Sequence, residues 1–308
     1  MIQFFLKRLT QAIVTLSILA TITFFLLRLA PGGPFDGDKI WPAEIQANIN
    51  AKYGLDKPLQ TQFFTWVSDV LHGDLRESFH YIGTPVTEII GDAVVPSLQL
   101  GFLALLLSVV FGLLFGILAA WKRGSIWDFS AMFMAITGIT LPSYLVGTLL
   151  VLFFSNYLGI LPPALWEDKS SMILPVLTLS LRPLAIIARM TRTTLLEIMH
   201  SDYIRTAYSK GLDDSTVLFK HALRNALIPV VTLLGPIAAS LITGSYVVET
   251  VFQIPGLGQY FITSVINRDY PLVMGMTLMF GIILIICNFV VDLAYSWIDP
   301  RIRLEAKD

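Results

Sequence analysis

Charge is scarce in this chain. Asp, Glu, Lys and Arg make up 14% of its 308 residues, where a soluble domain carries about 25%. With 55% hydrophobic residues and a mean hydropathy of +0.71, the composition suits a protein whose solvent is a bilayer. Cysteine is nearly absent as well. The lone Cys287 excludes an intrachain disulfide and a cysteine-based metal site, and its place inside an apolar run makes it a small packed hydrophobe. Also missing are a Walker A loop, a GxGxxG turn and an HExxH pair, so nothing supports a self-contained nucleotide-binding or zinc-protease function. The four histidines (His72, His80, His200 and His221) lie between apolar runs rather than within them.

What the chain does have is long apolar runs. A helix needs about 20 such residues to cross the ~30 Å hydrocarbon core, because no backbone polar group can go unpaired there. Six stretches qualify: about Leu9 to Leu29, Pro96 to Trp121, Phe129 to Tyr157, Met172 to Met190, Ala226 to Val251 and Leu272 to Ile298. The first follows Lys7 and Arg8 as a signal peptide would. Its core is too long, however, and ends in Arg28-Leu29-Ala30-Pro31 without a small-x-small cleavage site, so it reads as an uncleaved anchor. Orientation follows from the basic residues of the connections. With the N-terminus inside, thirteen Lys and Arg fall on the cytoplasmic side and six outside. Both termini are expected in the cytoplasm.

The external segment from about Pro31 to Val95 is long for a connection. Ala43 to Tyr53 has a helical pattern stopped by Gly54 and Pro58, and Phe63 to Leu71 is amphipathic and ends at Gly73. A small extracytoplasmic cap of two or three helices is expected. Its acids outnumber its bases nine to four, which fits either a docking face or an ordinary solvated surface.

The cytoplasmic stretch from Thr191 to Asn225 is far longer than a turn between two helices requires, and long structured loops are usually functional. Tyr203 to Ser209 reads as a short helix, Gly211 as a break where φ turns positive, and Val217 onward as a second helix capped by Asp213, Asp214 or Ser215. Val217, Leu218, His221 and Ala222 fall on one face. Such an element could fill a groove on a partner protein or lie on lipid headgroups.

The same stretch resembles the cytoplasmic coupling loop of ABC importer permeases, whose general motif is Glu-Ala-Ala, three residues, Gly, nine residues, then Ile-x-Leu-Pro. With the glycine at Gly211, only Ala207, Gly211 and Leu223 match that general form; Arg205-Thr206, His221 and Arg224 depart from it. The departures are those of the peptide-importer branch, and Tyr203 to Pro229 supplies that version. Other segments agree in order: Arg28 to Gly32, Tyr53 to Leu59, Gly73 to Leu75, Glu249 to Phe252, Pro255 to Gly258, Asn267 to Tyr270 and Asp299 to Ile302. Together they resemble the B-type permease subunit of oligopeptide and dipeptide importers. Chain length and the stretch from Ala47 to Leu59 are nearest the oligopeptide members.

The resemblance implies an all-α polytopic protein of the type I ABC importer permease fold in the bacterial cytoplasmic (inner) membrane. Its parts would be a first transmembrane helix (1–30), an external helical segment (31–93), the transmembrane domain (94–294) and a cytoplasmic end (295–308). It implies an ATPase-coupling loop comprising Tyr203, Ile204, Arg205, Thr206, Ala207, Lys210, Gly211, Leu212, His221 and Leu223. The implied partners are a homologous C-type permease, two ABC ATPase subunits, an extracytoplasmic peptide-binding protein, the peptide and membrane lipid, with no nucleic acid. ATP and Mg would sit on the ATPases and no cofactor or metal on this chain, which would be non-catalytic.

Polar residues at membrane depth complete the picture. Arg182, before Pro183 in the fourth span, would cost about 2.5–3.5 kcal/mol against lipid, so it faces protein or water. It either lines the translocation pathway or pairs structurally with Asp292, read as the only acid well inside a span. Pro142 is expected to kink the third span. The stretch from Gln253 to Pro271, with a short helix from Gln259 to Ile266, is a gate, a docking lip or a plain connection. A secondary transporter would show repeats and buried carboxylates, and an intramembrane enzyme would show paired catalytic groups in the spans; neither pattern is present.

Overall fold

The computed structural model describes residues 2–35 and 43–298. Asp36, Asp38, Lys39, the closing segment from Asp299 to Ile302 and the basic tail residues Arg303 and Lys307 lie outside the described residues. In hydrocarbon only a helix closes its backbone hydrogen bonds within one segment, and the apolar runs become helices accordingly. α1 (Ile2–Leu29) is followed by two external helices, α2 (Ala43–Tyr53) and α3 (Leu59–Leu71). Gly54 and Gly73 terminate these two with φ of +66° and +82°, at the residues where the sequence places the stops. α4 (Val86–Trp121) starts ten residues before the apolar run and carries Pro96 inside it. Hydrophobicity marks where a helix enters lipid, not where the helix begins.

The third apolar run is broken. α5 (Ile126–Thr140) and α6 (Ser143–Leu150, continued as a π-helix over Val151–Tyr157) meet at 109° across Leu141 and Pro142. Proline lacks the N–H that would continue the ladder and drives the residue before it to extended backbone; Leu141 has ψ 129°. The expected kink is therefore a sharp corner. α7 (Ile173–Met199) follows, and then the short helices α8 (Asp202–Ser209), α9 (Asp214–Thr216) and α10 (Leu223–Ala226). α11 (Ile228–Ile242) and α12 (Tyr246–Val251) make one span interrupted at Gly244. α13 (Leu257–Ile266) and α14 (Tyr270–Ile298) complete the described chain.

Two compact units emerge. One comprises residues 6–95 with 260–282. Its core is aromatic: Phe24, Trp66 and Met274 are buried, and Phe63 meets Phe24 edge to face at 5.1 Å. The Arg28 guanidinium lies 3.5 Å over the Phe24 ring, and its Nε donates to Gln62 Oε1 at 2.9 Å. Gln62 in turn donates to the carbonyls of Leu55 and Lys57. Fully buried Asp269 accepts from the Ser78 hydroxyl, the Phe79 N–H (3.1 Å) and the Leu272 N–H (3.2 Å). It thus caps α14 and pins the loop before α4. Several segments that carry the family resemblance converge in this network.

The other unit comprises, of the described residues, 2–5, 96–259 and 283–298. Here α4 and α7 lie against each other with glycine at the contact. A Cβ on Gly112 would sit 2.9 Å from Ile187 Cβ, and one on Gly116 would sit 2.7 Å from the Ala188 carbonyl oxygen. Between these levels and the start of α4, the Ser108 hydroxyl donates to the Ser180 carbonyl at 2.9 Å. These pairs rise together along both helices, so α4 and α7 are parallel. Parallel neighbours must be joined by a connection that crosses the membrane. The cornered α5–α6 pair is therefore one span, which makes six among the described residues.

Small residues let membrane helices approach closely, because lipid gives no hydrophobic drive between them. Gly116→Leu should therefore separate α4 from α7 and lower stability by about 1–3 kcal/mol, the usual cost of overpacking. Gly91, whose added Cβ would meet nothing within 4 Å, serves as control: Gly91→Ala should be neutral or stabilising by up to about 1 kcal/mol. Thermal melting of the two purified variants compares them, and equal behaviour would contradict the packing argument.

Candidate functional site

The loop between α7 and α11 is a helix–turn–helix with two unlike sides. Ser201 precedes α8, and Gly211 turns the chain with φ +80°. Asp213 then caps α9 by accepting from the Thr216 N–H at 3.1 Å. The Ser215 and Thr216 side chains and the Thr216 amide hold the Asp213 carboxyl below the usual carboxylate range. A depressed pKa means the cap is present above that range and lost only as pH falls well into acid. Burial, with the Asp214 carboxylate next in effect, pushes the Tyr208 phenol up. After α9 the backbone widens into a π-helix over Val217–Ala222 before α10 resumes.

The inner side is apolar and closed. Ile204, Ala207, Val217, Leu218, Ala222 and Ala226 form one buried cluster with Ala120 and Leu195, joined by Ile117 and Leu196. The Thr194 hydroxyl adds a hydrogen bond to the Ala226 carbonyl at 2.9 Å. The face of Val217, Leu218 and Ala222 is therefore covered by the chain's own α4 and α7. This face therefore meets neither of the two surroundings that the sequence left open, a partner's groove or lipid headgroups: periodicity gives the face and not what it meets. His221, Leu212 and Leu223 are half-buried at its edge.

The outer side carries Tyr203, Arg205, Thr206, Lys210 and Gly211, all exposed, with Phe219 beside Trp121. Tyr203 Oη accepts from Asn225 Nδ2 at 2.9 Å, which ties α8 to the end of α10. A Cβ built on Gly211 meets nothing within 4 Å. The candidate loop residues thus divide into an anchor (Ile204, Ala207) and a presented edge.

Arg182 lies elsewhere. It lines a cleft of about 420 Å³ together with Thr140, Pro142, Ser143, Thr178 and Ser245, at the corner between α5 and α6. Its side chain is exposed to this space, and among the described residues its guanidinium has neither ion-pair nor hydrogen-bond partner. The structural pairing with Asp292 is not formed. An unpaired cation at membrane depth, beside hydroxyls and the corner of a span, is equipped to hold an anion.

Two further polar arrangements hold this unit together. Arg192 pairs two-pronged with Asp128, Nε to Oδ1 at 2.6 Å and Nη2 to Oδ2 at 2.9 Å, locking α5 to α7. Glu249 is fully buried near the end of α12; it accepts from the Ser97 hydroxyl at 2.9 Å and the Gln259 N–H at 2.8 Å. Gly256 and Gly258 leave room for its carboxylate. Asp292 is therefore not the only acid within a span. The signal available was Glu249 within an apolar run, since intramembrane acids need partners; the Asp128 pairing, 64 residues apart, had none.

The helical sequence can now be set beside known proteins. Residues 112–304 match the family model described as binding-protein-dependent transport system inner membrane component, and residues 1–89 match the N-terminal model of the same system. The oligopeptide transport system permease protein OppB of Haemophilus influenzae is 44% identical over 305 residues, covering 98% of this chain and all of that protein. The dipeptide transport system permease protein DppB of Bacillus subtilis is 40% identical over 307 residues, covering both chains fully. Among solved structures, the inward-facing MetNI methionine ABC transporter aligns over 71% of this chain and all of the matched chain, with a TM-score of 0.57 at 20% identity. That last likeness carries the fold.

Truncating Arg192 would leave Asp128, only 8% exposed, without its cation. For a fully buried pair that costs about 3–5 kcal/mol; Arg192 is 25% exposed, so we expect about 1–3 kcal/mol from Arg192→Ala. Asp128→Asn with Arg192→Gln should recover part of the loss in a melting experiment, and a single variant as stable as the parent would remove the lock.

Proposed function

This chain belongs to the family of binding-protein-dependent transport system inner membrane components, and on that premise we propose that it is the permease subunit of an ATP-driven peptide importer. The observation that carries the reading is identity of 40–44% along essentially the whole chain to oligopeptide and dipeptide permeases. In this reading a homologous C-type permease completes the pathway. Two separate ATPase subunits bind ATP and Mg, and an extracytoplasmic binding protein delivers the peptide. This chain contributes no catalytic group and binds no cofactor.

The loop geometry supports a coupling role. A helix bundle has no intrinsic preference for import; direction requires that ATP binding and hydrolysis favour different arrangements, and a ligand shifts such an equilibrium only by its differential affinity for the two. The edge of Tyr203, Arg205, Thr206, Lys210 and Gly211 is what the chain offers an ATPase. Behind it, Ile204, Ala207 and Leu218 are packed against α4 and α7, so a push on the edge moves both helices as a body. The Arg182 cleft supports a pathway role. Its free guanidinium suits a peptide's terminal carboxylate or backbone carbonyls, and the Thr140, Ser143 and Thr178 hydroxyls suit its amides.

Because a side chain at position 211 would meet nothing in this chain, substitution there separates backbone strain from a clash with a partner. Asn tolerates positive φ, so Gly211→Asn should keep peptide uptake within about twofold. Gly211→Trp should lower uptake at least about tenfold, a cost of ~1.4 kcal/mol or more in coupling, at unchanged membrane level. Full uptake by Gly211→Trp would refute the coupling role. For Arg182→Ala, loss of a charge-assisted hydrogen bond of about 1.5–3 kcal/mol should raise KM about tenfold or more for peptides with a free carboxylate. Carboxy-amidated peptides should change little. Identical kinetics for both peptide classes would exclude carboxylate recognition by Arg182.

A further inference from the structure

An apolar groove in the second unit has no part in the proposed coupling or pathway roles. It holds about 670 Å³ between α4 and α7, nearer the start of α7 than the contacts of Gly112 and Gly116. Leu103, Leu107 and Val110 of α4 line one wall, and Met172 and Val176 of α7 the other, with Lys169 at one end. The charge bias that orients the chain puts the start of α7, and with it Lys169, at the external surface.

Three features on the page fix what the groove suits. Its wall chemistry is one-sided: apart from Lys169 every lining residue is apolar, so no peptide backbone could satisfy its amides there. Its lining lacks small residues. None of the ten is glycine or alanine, whereas the same helix α4 uses Gly101, Gly112 and Gly116 wherever another helix backbone approaches. Branched and aromatic walls leave a slot for a thin alkyl chain and hold a second helix, about 10 Å across, at a distance. Its mouth is marked for a headgroup. Lys169 is exposed and, among the described residues, its ammonium has no partner. Beside it Trp166, which donates from Nε1 to Gln99 Oε1 at 3.2 Å, is a residue type enriched at membrane interfaces.

We propose that this groove binds an anionic phospholipid of the outer leaflet, one acyl chain between α4 and α7 and the phosphate on the Lys169 ammonium. The lipid would then bear on the two helices to which the cytoplasmic loop is anchored.

The test uses the complex purified with its partner subunits and reconstituted in nanodiscs, with phosphatidylglycerol bearing a diazirine on one acyl chain as probe. Photolabelling should fall on 103–111 and 172–177. Val110→Trp, which fills the slot, should remove it, and phosphatidylcholine carrying the same diazirine should label more weakly. Lys169→Gln should weaken the phosphatidylglycerol preference about fivefold, the effect of one basic residue near an anionic headgroup, without abolishing labelling. Labelling unaffected by both substitutions would overturn the site. So would a cysteine at Leu106 that crosslinks efficiently to the second permease subunit, since the groove would then be a protein interface. The readout is labelling rather than uptake, so failure here leaves the importer reading intact, and failure of Gly211 or Arg182 to affect uptake leaves the lipid site intact.

Discussion

The close approach of α4 to α7 is the contact on which the rest of the molecule depends. Lipid tails are as apolar as leucine, so these helices gain little from hiding hydrophobic surface from each other. Dispersion and backbone proximity must hold them, and both require small residues. Gly112 and Gly116 supply these, with the Ser108–Ser180 hydrogen bond alongside. The functional features distribute themselves along this pair. The apolar anchor of the cytoplasmic loop is at its inner end on Ala120 and Leu195, the Arg182 cleft borders its middle on α7, and the lipid groove opens at its outer end. A change at one level has a stiff route to the others because the helices are continuous over 36 and 27 residues.

Polar groups in this chain follow a rule that separates structure from function. The three buried carboxylates Asp128, Glu249 and Asp269 all have partners: Asp128 has Arg192 and the Gly124 amide, Glu249 has Ser97 and Gln259, and Asp269 has Ser78 and the Phe79 amide. Removing a charge from water without such partners would cost several kcal/mol. Arg182 and Lys169 are exposed instead; among the described residues neither has a partner, and each borders a cavity. For Arg182, within the fourth apolar run, a cation left open would be costly against lipid and calls for water or a ligand in the cleft. The same logic assigns the aromatic and ionic network around Arg28 to structure.

Much of this was legible in the sequence, and the limits have physical causes. Six spans follow from length and hydropathy, because the bilayer imposes both on any crossing helix. The turn at Gly211 was legible, and a cap among Asp213, Asp214 and Ser215, because each follows from local chemistry: a residue without Cβ where φ is positive, and a side-chain oxygen where helix amides are free; the structure selects Asp213. The same holds for Gly54 and Gly73. What could not be read are relations between distant segments. Val217, Leu218 and Ala222 plainly share a face, yet nothing local says that α4 and α7 cover it. Asp128 looks like any first-turn acid until α7 brings Arg192 to it. Glu249 is an acid within an apolar run, yet nothing local says that Ser97 and the Gln259 amide meet it.

The corner at Leu141 and Pro142 joins these strands of argument. A span bent by 109° leaves backbone groups around the break without their usual helical partners, which lipid would not tolerate. Non-helical backbone is admissible at that depth only where protein or a water-filled cavity surrounds it. The cavity that meets this requirement is the one lined by Thr140, Ser143, Thr178 and Arg182. The parallel run of α4 and α7 independently requires the bent segment to cross the membrane, so the corner cannot be relieved by lying on the surface. A broken span that must cross, a polar cleft at its break and an uncompensated arginine facing that cleft each demand the same thing of their surroundings. The hydroxyls and guanidinium that line the cleft at the break are of the kind that would solvate a peptide, which is why the proposed passage for polar cargo is placed there.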